Sequence, residues 1–153
     1  EISRSLRKNI LISKIKTLHK SYLKYFKRKP RIAVLGLNPH NLELKNSSEE
    51  VKIIIPAIKN LKKKVMISGP YPADTIFLKD KLKKFDVIVG MYHDQVLAPF
   101  KALFGFNAIN ITFGLPYIRM SPDHGVAEDK IKLNISNPQS LNKCLEIISK
   151  FVR

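Results

Sequence analysis

Two histidines occupy positions where an open α/β sheet would hold a metal ligand. His40 follows the apolar run at residues 32–37, and His93 follows a second such run at residues 85–90. Both runs are rich in aliphatic, β-branched residues and indicate buried strands. Ligands collect beyond the carboxyl ends of such strands, and neutral imidazole is the commonest metal ligand. The sequence therefore predicts a divalent metal site formed by His40 and His93, with zinc, magnesium and cobalt all open.

Polar and cationic residues after His93 predict a site for an anion. The planar guanidinium of Arg119 suits bidentate contact with phosphate or carboxylate, whereas Lys101 acts as a point charge. Asn110 is polar within the apolar strand predicted over residues 108–113. If its side chain points inward, a backbone group or a ligand must satisfy it. We expect a phosphorylated or carboxylated small molecule to bind these side chains near the histidines.

Alternating helices and strands must position these residues. Residues 2–26 place apolar side chains at helical spacing, and Ser47-Ser48-Glu49-Glu50 has the spacing of a capping box that opens a second helix, which Pro56 should kink or divide. Further strands are predicted over residues 65–68, 85–90 and 108–113, and further helices over 73–77, 95–104 and 141–152. The segments 69–72 and 114–125 are predicted to be loops. Ser140 is predicted to cap the last helix, which should bury Leu145, Ile148 and Phe151.

Composition predicts one cytoplasmic domain. The 153 residues are 44% hydrophobic, which is enough for a core, and no run is apolar and long enough to span a bilayer or to form the centre of a signal peptide. Residues 1–153 are therefore expected to form a single domain. The single cysteine, Cys144, cannot form an internal disulfide and suits a reducing compartment, where it is expected to be a small buried side chain.

The formal charge of +16 raises the possibility of nucleic-acid binding. Lysines are spread over nearly every segment, however, and neither zinc-finger spacing nor an aromatic ribonucleoprotein motif occurs in the sequence. Weak, salt-sensitive attraction is expected, and specific nucleic-acid binding is disfavoured. A non-catalytic basic module that binds acidic partners stays open as an alternative to an enzyme.

Five motifs occur together in an order typical of one enzyme family. They are Leu37-Asn38-Pro39-His40, the segment 69–75, Met91-Tyr92-His93-Asp94-Gln95, the segment 110–119, and Asp123-His124-Gly125. In combination they closely resemble the C-terminal half of the 4-hydroxythreonine-4-phosphate dehydrogenase family of vitamin B6 (pyridoxal phosphate) synthesis. The resemblance implies a three-layer α/β/α fold with a mostly parallel sheet, like that of the isocitrate and isopropylmalate dehydrogenases. It also implies that this sequence is a partial fold, either a fragment or a split-gene product, that is inactive alone.

The resemblance further implies a reaction and roles for individual residues. The reaction is NAD-dependent oxidation of 4-phosphooxy-L-threonine followed by decarboxylation to 3-amino-2-oxopropyl phosphate, in a homodimer with the active site at the subunit interface. Among the implied roles, His40 and His93 bind the metal together with a third histidine that lies upstream of Glu1. The resemblance also implies that the substrate is bound by Lys101, Asn110 and Arg119, and that the adenine end of the cofactor is bound by His124 and Gly125. The GxGxxG fingerprint does not occur, so the inference of NAD, or possibly of NADP, rests on the resemblance. Another phosphorylated hydroxy acid stays open as the substrate.

Overall fold

The structure, a computed structural model, describes residues 2–38, 46–125, 135 and 137–152. Two compact units divide the chain, Glu1–Pro99 and Phe100–Arg153. Whether the chain is one domain, as the composition suggests, stays a prediction. No helix in the described residues is both long and apolar enough to cross a bilayer.

The first unit contains three parallel strands and most of the described helices. The strands are β1 (Ile32–Leu35), β2 (Ile67–Tyr71) and β3 (Val87–Val89). The helices are α1 (Ile2–Ser5), α2 (Lys8–Phe26), α3 (Ile55–Leu61), α4 (Ala73–Ile76), α5 (Lys79–Leu82) and α6 (His93–Phe104), which runs into the second unit. A π-helical turn, Glu50–Ile54, precedes α3.

Strand β1 is the centre of the sheet and of the core. It pairs in parallel with β2 on one side and with β3 on the other, so that Ile32 lies between Ile67 and Val87. All four β1 residues are at most 1% exposed. Ile32 and Val34 pack with α2 and α3, whereas Ala33 and Leu35, on the opposite face of the sheet, pack with α4 and the residues next to it. Because alternate residues of a strand face opposite ways, this is the expected α/β arrangement of helices on both faces of a parallel sheet.

The predicted helix over residues 2–26 is in fact two helices. Arg7 adopts an extended backbone (φ −134°, ψ 136°), and its Nη1 donates to the carbonyl oxygen of Arg4 at 2.6 Å. The guanidinium therefore takes an α1 carbonyl that a continuous helix would use internally. Helix α2 buries Leu11, Ile15 and Tyr22 and ends as predicted just before the Lys27–Pro30 segment.

Proline affects the two neighbouring segments differently. Pro56 lies where the helix type changes, as the prediction of a disturbed helix suggests, but the helix does not break: the π-helical turn ends at Ile54 and α3 begins at Ile55, and both residues have helical backbone. The loop predicted over residues 69–72 is wrong, since β2 continues to Tyr71 through a cis Gly69–Pro70 peptide. Gly69 has φ +132°, and a Cβ there would overlap the carbonyl oxygen of Val34. Only glycine fits this close approach of β2 to β1.

Asp86 fixes the start of β3 against the start of β1. Its Oδ2 accepts from the backbone N–H of Arg31 at 2.9 Å and from Arg31 Nε at 3.0 Å, and its Oδ1 accepts from Arg28 Nη1 at 2.9 Å. The Asp86 side chain is only 8% exposed. The side-chain hydrogen bond from Arg31 is the largest of the effects that hold the pKa of Asp86 far below its usual range.

The second unit contains a hairpin and a helix. A 3₁₀ turn, Gly105–Asn107, leads to β4 (Ile109–Thr112), which pairs antiparallel with β5 (Arg119–Pro122), and α7 (Gln139–Phe151) packs on the hairpin. The loop predicted over residues 114–125 is therefore wrong for β5. Pairing with β4 makes this segment a strand although its own sequence lacks apolar alternation.

Helix α7 differs from its prediction at both Ser140 and Leu145. It begins at Gln139, so Ser140 lies inside the helix and is not its cap. Its apolar face is rotated from the prediction, because Cys144 is buried, Ile148 and Phe151 are half-buried, and Leu145 is 59% exposed. Cys144 is a free, buried thiol as expected, and burial raises its pKa.

Candidate functional site

His93 is the first residue of α6 and follows the carboxyl end of β3. Its side chain is 75% exposed, and its Nδ1 lies 2.6 Å from Oδ1 of Asp94. When Nδ1–H donates a hydrogen bond to the carboxylate, the lone pair of the other ring nitrogen, Nε2, is available to a metal. The donor set at His93 therefore fits the predicted role as a metal ligand.

The second predicted metal ligand, His40, lies outside the described residues. Strand β1, which leads to it, runs parallel to and beside β3. Among the residues that the structure describes, His, Cys, Asp and Glu side chains form no group of three that could hold a metal ion. A shared site for His40 and His93 stays a prediction.

Gln95 joins the turn after β1 to the turn after β3. Its Nε2 donates to the carbonyl oxygen of Gly36 at 2.7 Å, and its Oε1 accepts from the backbone N–H of Met91 at 2.8 Å. The side chain is 7% exposed. Gln95 belongs to the motif around His93, but the sequence did not reveal this role, because Gly36 is 59 positions away along the chain.

Glu50 holds the backbone just beyond β1. The capping box predicted that its side chain would serve its own helix. Instead Oε1 accepts from the backbone N–H groups of Leu37 at 2.7 Å and of Asn38 at 2.8 Å, and the residue is 2% exposed. The available signal was the position of Glu50 at the start of an apolar helical stripe that continues with Ile54 and Ile58, where a carboxylate needs buried donors.

The β4–β5 hairpin brings Asn110 and Arg119 to one face. Asn110 pairs with Ser121 and Thr112 pairs with Arg119, so the four side chains project from the same side of the hairpin. Arg119 Nη1 donates to Oγ1 of Thr112 at 2.9 Å. Asn110 and Arg119 are exposed, so Asn110 does not point into the core. The hydroxyls of Thr112 and Ser121 were missed by the sequence reasoning, and the alternation of side chains along the strand was the signal that could have found them.

Lys101 is held by Asp123. Its Nζ lies 3.0 Å from Asp123 Oδ2 and also donates to the backbone carbonyl oxygen of Asp123. The backbone N–H of Asp123 donates to Oγ of Ser140 at 3.0 Å, and that hydroxyl donates to the carbonyl oxygen of Ala108. Ser140 is fully buried. The lysine is therefore anchored through Asp123 to the start of α7 and to the start of β4.

His124 and Gly125, the predicted cofactor-binding residues, are both exposed. His124 Nδ1 lies 3.0 Å from the carbonyl oxygen of Gly125, and a Cβ at Gly125 would meet no atom within 4 Å. Backbone at this position is open to a ligand. Within the second unit, the arrangement offers a guanidinium, an amide and two hydroxyls on one strand face and an anchored ammonium on α6, a set of groups that suits an oxyanion.

Comparison with known proteins identifies the family. The sequence model described as "Pyridoxal phosphate biosynthetic protein PdxA" matches residues 1–148. The 4-hydroxythreonine-4-phosphate dehydrogenase of Sulfurihydrogenibium sp. (strain YO3AOP1) is 41% identical over 150 residues, which are 96% of this chain and 46% of that protein. The protein of the same name from Hydrogenobaculum sp. (strain Y04AAS1) is 40% identical over 152 residues, 99% of this chain and 47% of the relative.

Solved structures agree with the sequence relatives. The crystal structure of 4-hydroxythreonine-4-phosphate dehydrogenase from Klebsiella pneumoniae superposes with a TM-score of 0.81 at 33% identity, over 99% of this chain and 47% of that one. A terephthalate 1,2-cis-dihydrodiol dehydrogenase from Burkholderia xenovorans, with a TM-score of 0.71 at 22% identity, shares the fold. The chain spans about half the length of the relatives it matches. It belongs to the PdxA family of pyridoxal phosphate biosynthetic proteins.

Proposed function

We propose that this chain contributes metal-binding and anion-binding residues to a 4-hydroxythreonine-4-phosphate dehydrogenase. The proposed reaction is NAD-dependent oxidation of the hydroxyl of 4-phosphooxy-L-threonine, followed by decarboxylation to 3-amino-2-oxopropyl phosphate. The single observation that supports it most is the polar face of the hairpin, where Asn110 and Arg119 lie with Thr112 and Ser121. A phosphate ester or a carboxylate is the ligand that this set of donors suits.

Each residue on the hairpin has a proposed part in binding. Arg119 forms the bidentate contact with an oxyanion, and the hydroxyl of Thr112 orients the guanidinium. Asn110 donates its amide to a second substrate oxygen. Lys101 adds an ammonium donor whose position Asp123 fixes, which lowers the conformational entropy lost when the anion binds, although the Asp123 carboxylate offsets its charge.

His93, with His40 as its proposed partner, would hold a divalent metal. The hydrogen bond between His93 Nδ1 and Asp94 presents Nε2 to the ion. When bound, such an ion supplies Lewis-acid chemistry, which polarises substrate oxygens and stabilises negative charge on them. Zinc, magnesium and cobalt are all candidates, because imidazole and water ligands suit several divalent ions.

The cofactor and the assembly are also part of the proposal. His124 and Gly125 would contact the adenine end of NAD, the hydride acceptor, and NADP is the alternative. A homodimer with its active site at the interface, completed by residues outside this sequence, is the proposed assembly. The proposed location is the cytoplasm, which the free, buried thiol of Cys144 suits.

An activity assay tests the reaction. We would join this chain to the N-terminal half of the Sulfurihydrogenibium relative and follow NADH formation from 4-phosphooxy-L-threonine, with zinc, magnesium and cobalt in separate samples. Arg119→Lys keeps the positive charge but loses the planar guanidinium that makes the bidentate contact. KM should therefore rise about tenfold while kcat changes little. Lys143→Gln, on the surface of α7, is the control and should leave KM unchanged. A folded chimera that binds metal but never reduces NAD with this substrate would show that the proposed reaction is wrong.

Calorimetric titration of this chain with each metal tests the ligand assignment independently of activity. His93→Ala should weaken metal binding by about tenfold or more, because it removes a side chain that is proposed to bind the metal directly. His124→Ala, assigned to the cofactor, serves as the control and should bind metal like the parent chain. Equal affinity in all three proteins would exclude His93 as a ligand.

A further inference from the structure

A basic groove lies at the amino ends of the three parallel strands. It has a volume of about 550 Å³ and lies at the end of the sheet opposite His93. Its cationic lining comes from three separate segments of the chain, just before β1, between α3 and β2, and just before β3. The cations are Lys29, Arg31, Lys62, Lys63, Lys64 and Lys84.

The groove concentrates charge beyond what local structure requires. The carboxyl end of α3 is followed by Lys62, Lys63 and Lys64, and cations interact favourably with the helix dipole at that end. This interaction accounts for the positions of those three lysines but not for the other cations. It does not explain why Lys29 and Lys84 converge on the same groove from other segments. Among the described residues, those that line the groove include no aspartate or glutamate, and Arg31 is the one lining cation that forms a described ion pair, with the nearby Asp86. The result is a strongly positive concave surface.

The lining also contains exposed apolar surface. Met66 is 54% exposed at the start of β2, and the half-buried Phe85 precedes β3. Cations around an apolar or aromatic floor are the arrangement that binds single strands, because the cations follow the phosphates while bases contact the floor. Lysine side chains are flexible and act as point charges, without the planar bidentate geometry of a guanidinium. A lysine-rich groove therefore suits an extended polyanion better than one small phosphate ester.

We propose that this groove binds single-stranded nucleic acid without sequence preference. The weak, salt-sensitive attraction expected from the composition is thereby assigned to one surface. Binding should release about 0.7 counterions for each phosphate contacted, so five lysines predict a slope of about −3.5 for the logarithm of affinity against the logarithm of salt concentration.

Fluorescence anisotropy with the full 153-residue chain tests the proposal. The probes are labelled oligothymidylate and oligouridylate of about ten nucleotides, a length typical of one such groove. Changing Lys62, Lys63 and Lys64 together to glutamine should weaken binding about tenfold at low salt and make the slope shallower by about 2. The double variant Lys29→Gln, Lys84→Gln should make it shallower by about 1.4. Circular dichroism verifies that each variant folds.

Matched variants distinguish this groove from general surface charge. Lys14, Lys16 and Lys20 are exposed on α2 outside the groove, and changing them to glutamine removes the same charge. Affinity should then stay within about twofold, as expected for residues that make no phosphate contact. Met66→Ser keeps every charge and should lower the preference for oligothymidylate over polyglutamate. Equal losses in the two triple variants, or polyglutamate binding as tightly as the oligonucleotides, would overturn the proposal.

Discussion

Replacement of Asp86 should destabilise the first unit, because its carboxylate joins the start of β3 to the start of β1. Its carboxylate accepts hydrogen bonds from Arg28 and from both the backbone and the side chain of Arg31. Asp86→Asn should lower the free energy of unfolding by about 1–3 kcal/mol, in the range of hydrogen bonds to charged groups, and the partly exposed arginines keep it from being larger. Urea unfolding measures the change. Asp80→Asn, exposed on α5, should change stability by less than about 0.5 kcal/mol.

The same carboxylate predicts a pH dependence. The pKa of Asp86 is lower in the folded chain than in the unfolded chain, so the unfolded chain takes up the proton first as pH falls. The contribution of Asp86 is therefore complete above its unfolded pKa of about 3.9 and is lost progressively below it. The difference in stability between the parent chain and Asp86→Asn should shrink as pH falls below about 4. A difference that stays constant or grows on acidification would contradict this assignment.

Single residues were predicted well where the chemistry is local and poorly where the partner is distant. The burial of Cys144 followed from its place on an amphipathic helix. Glu50 fits a local capping box, but its partners are the amides of Leu37 and Asn38, 13 and 12 positions away. No sequence pattern encodes that pairing. The predicted roles of His93, Lys101, Asn110 and Arg119 follow from residue types and stay predictions until binding is measured.

Helix α7 and the hairpin depend on one buried hydroxyl. Ser140 accepts from the backbone N–H of Asp123 and donates to the carbonyl oxygen of Ala108. Ser140→Ala leaves both backbone groups without this partner and should lower the free energy of unfolding by about 2 kcal/mol. Ser149→Ala removes an exposed hydroxyl on the same helix and should cost less than about 0.5 kcal/mol. Equal effects in urea unfolding would contradict the anchoring role.

The elements predicted from sequence are those whose pattern is set by their own burial. Strand β1 is buried on both faces and is continuously apolar, so its sequence alone identifies it. Strand β5, Arg119–Pro122, has no such pattern and is a strand because β4 pairs with it. The break between α1 and α2 was missed for a similar reason, since the apolar spacing continues across Arg7 while the backbone does not.

The net charge of the whole chain predicts how its stability responds to salt. At +16 the folded chain repels itself more strongly than the expanded unfolded chain does, and added salt screens that repulsion. Raising the concentration of a monovalent salt should raise the thermal midpoint by about 2–4 °C, which corresponds to about 1 kcal/mol for a chain of this size. The variant with glutamine at Lys14, Lys16 and Lys20 should show a smaller rise. A midpoint that falls with salt in the parent chain would mean that attractive ion pairs outweigh the repulsion.

The amide of Gln95 couples two turns of this chain that are distant in sequence. One side chain holds both the turn that follows β1 and the turn that follows β3. A substitution that shifts either turn should also disturb the other, so the positions of the turns after β1 and after β3 are coupled. A change in one of these turns should therefore need a matching change in the other, and a graft of one turn into this chain without its counterpart should lower its stability.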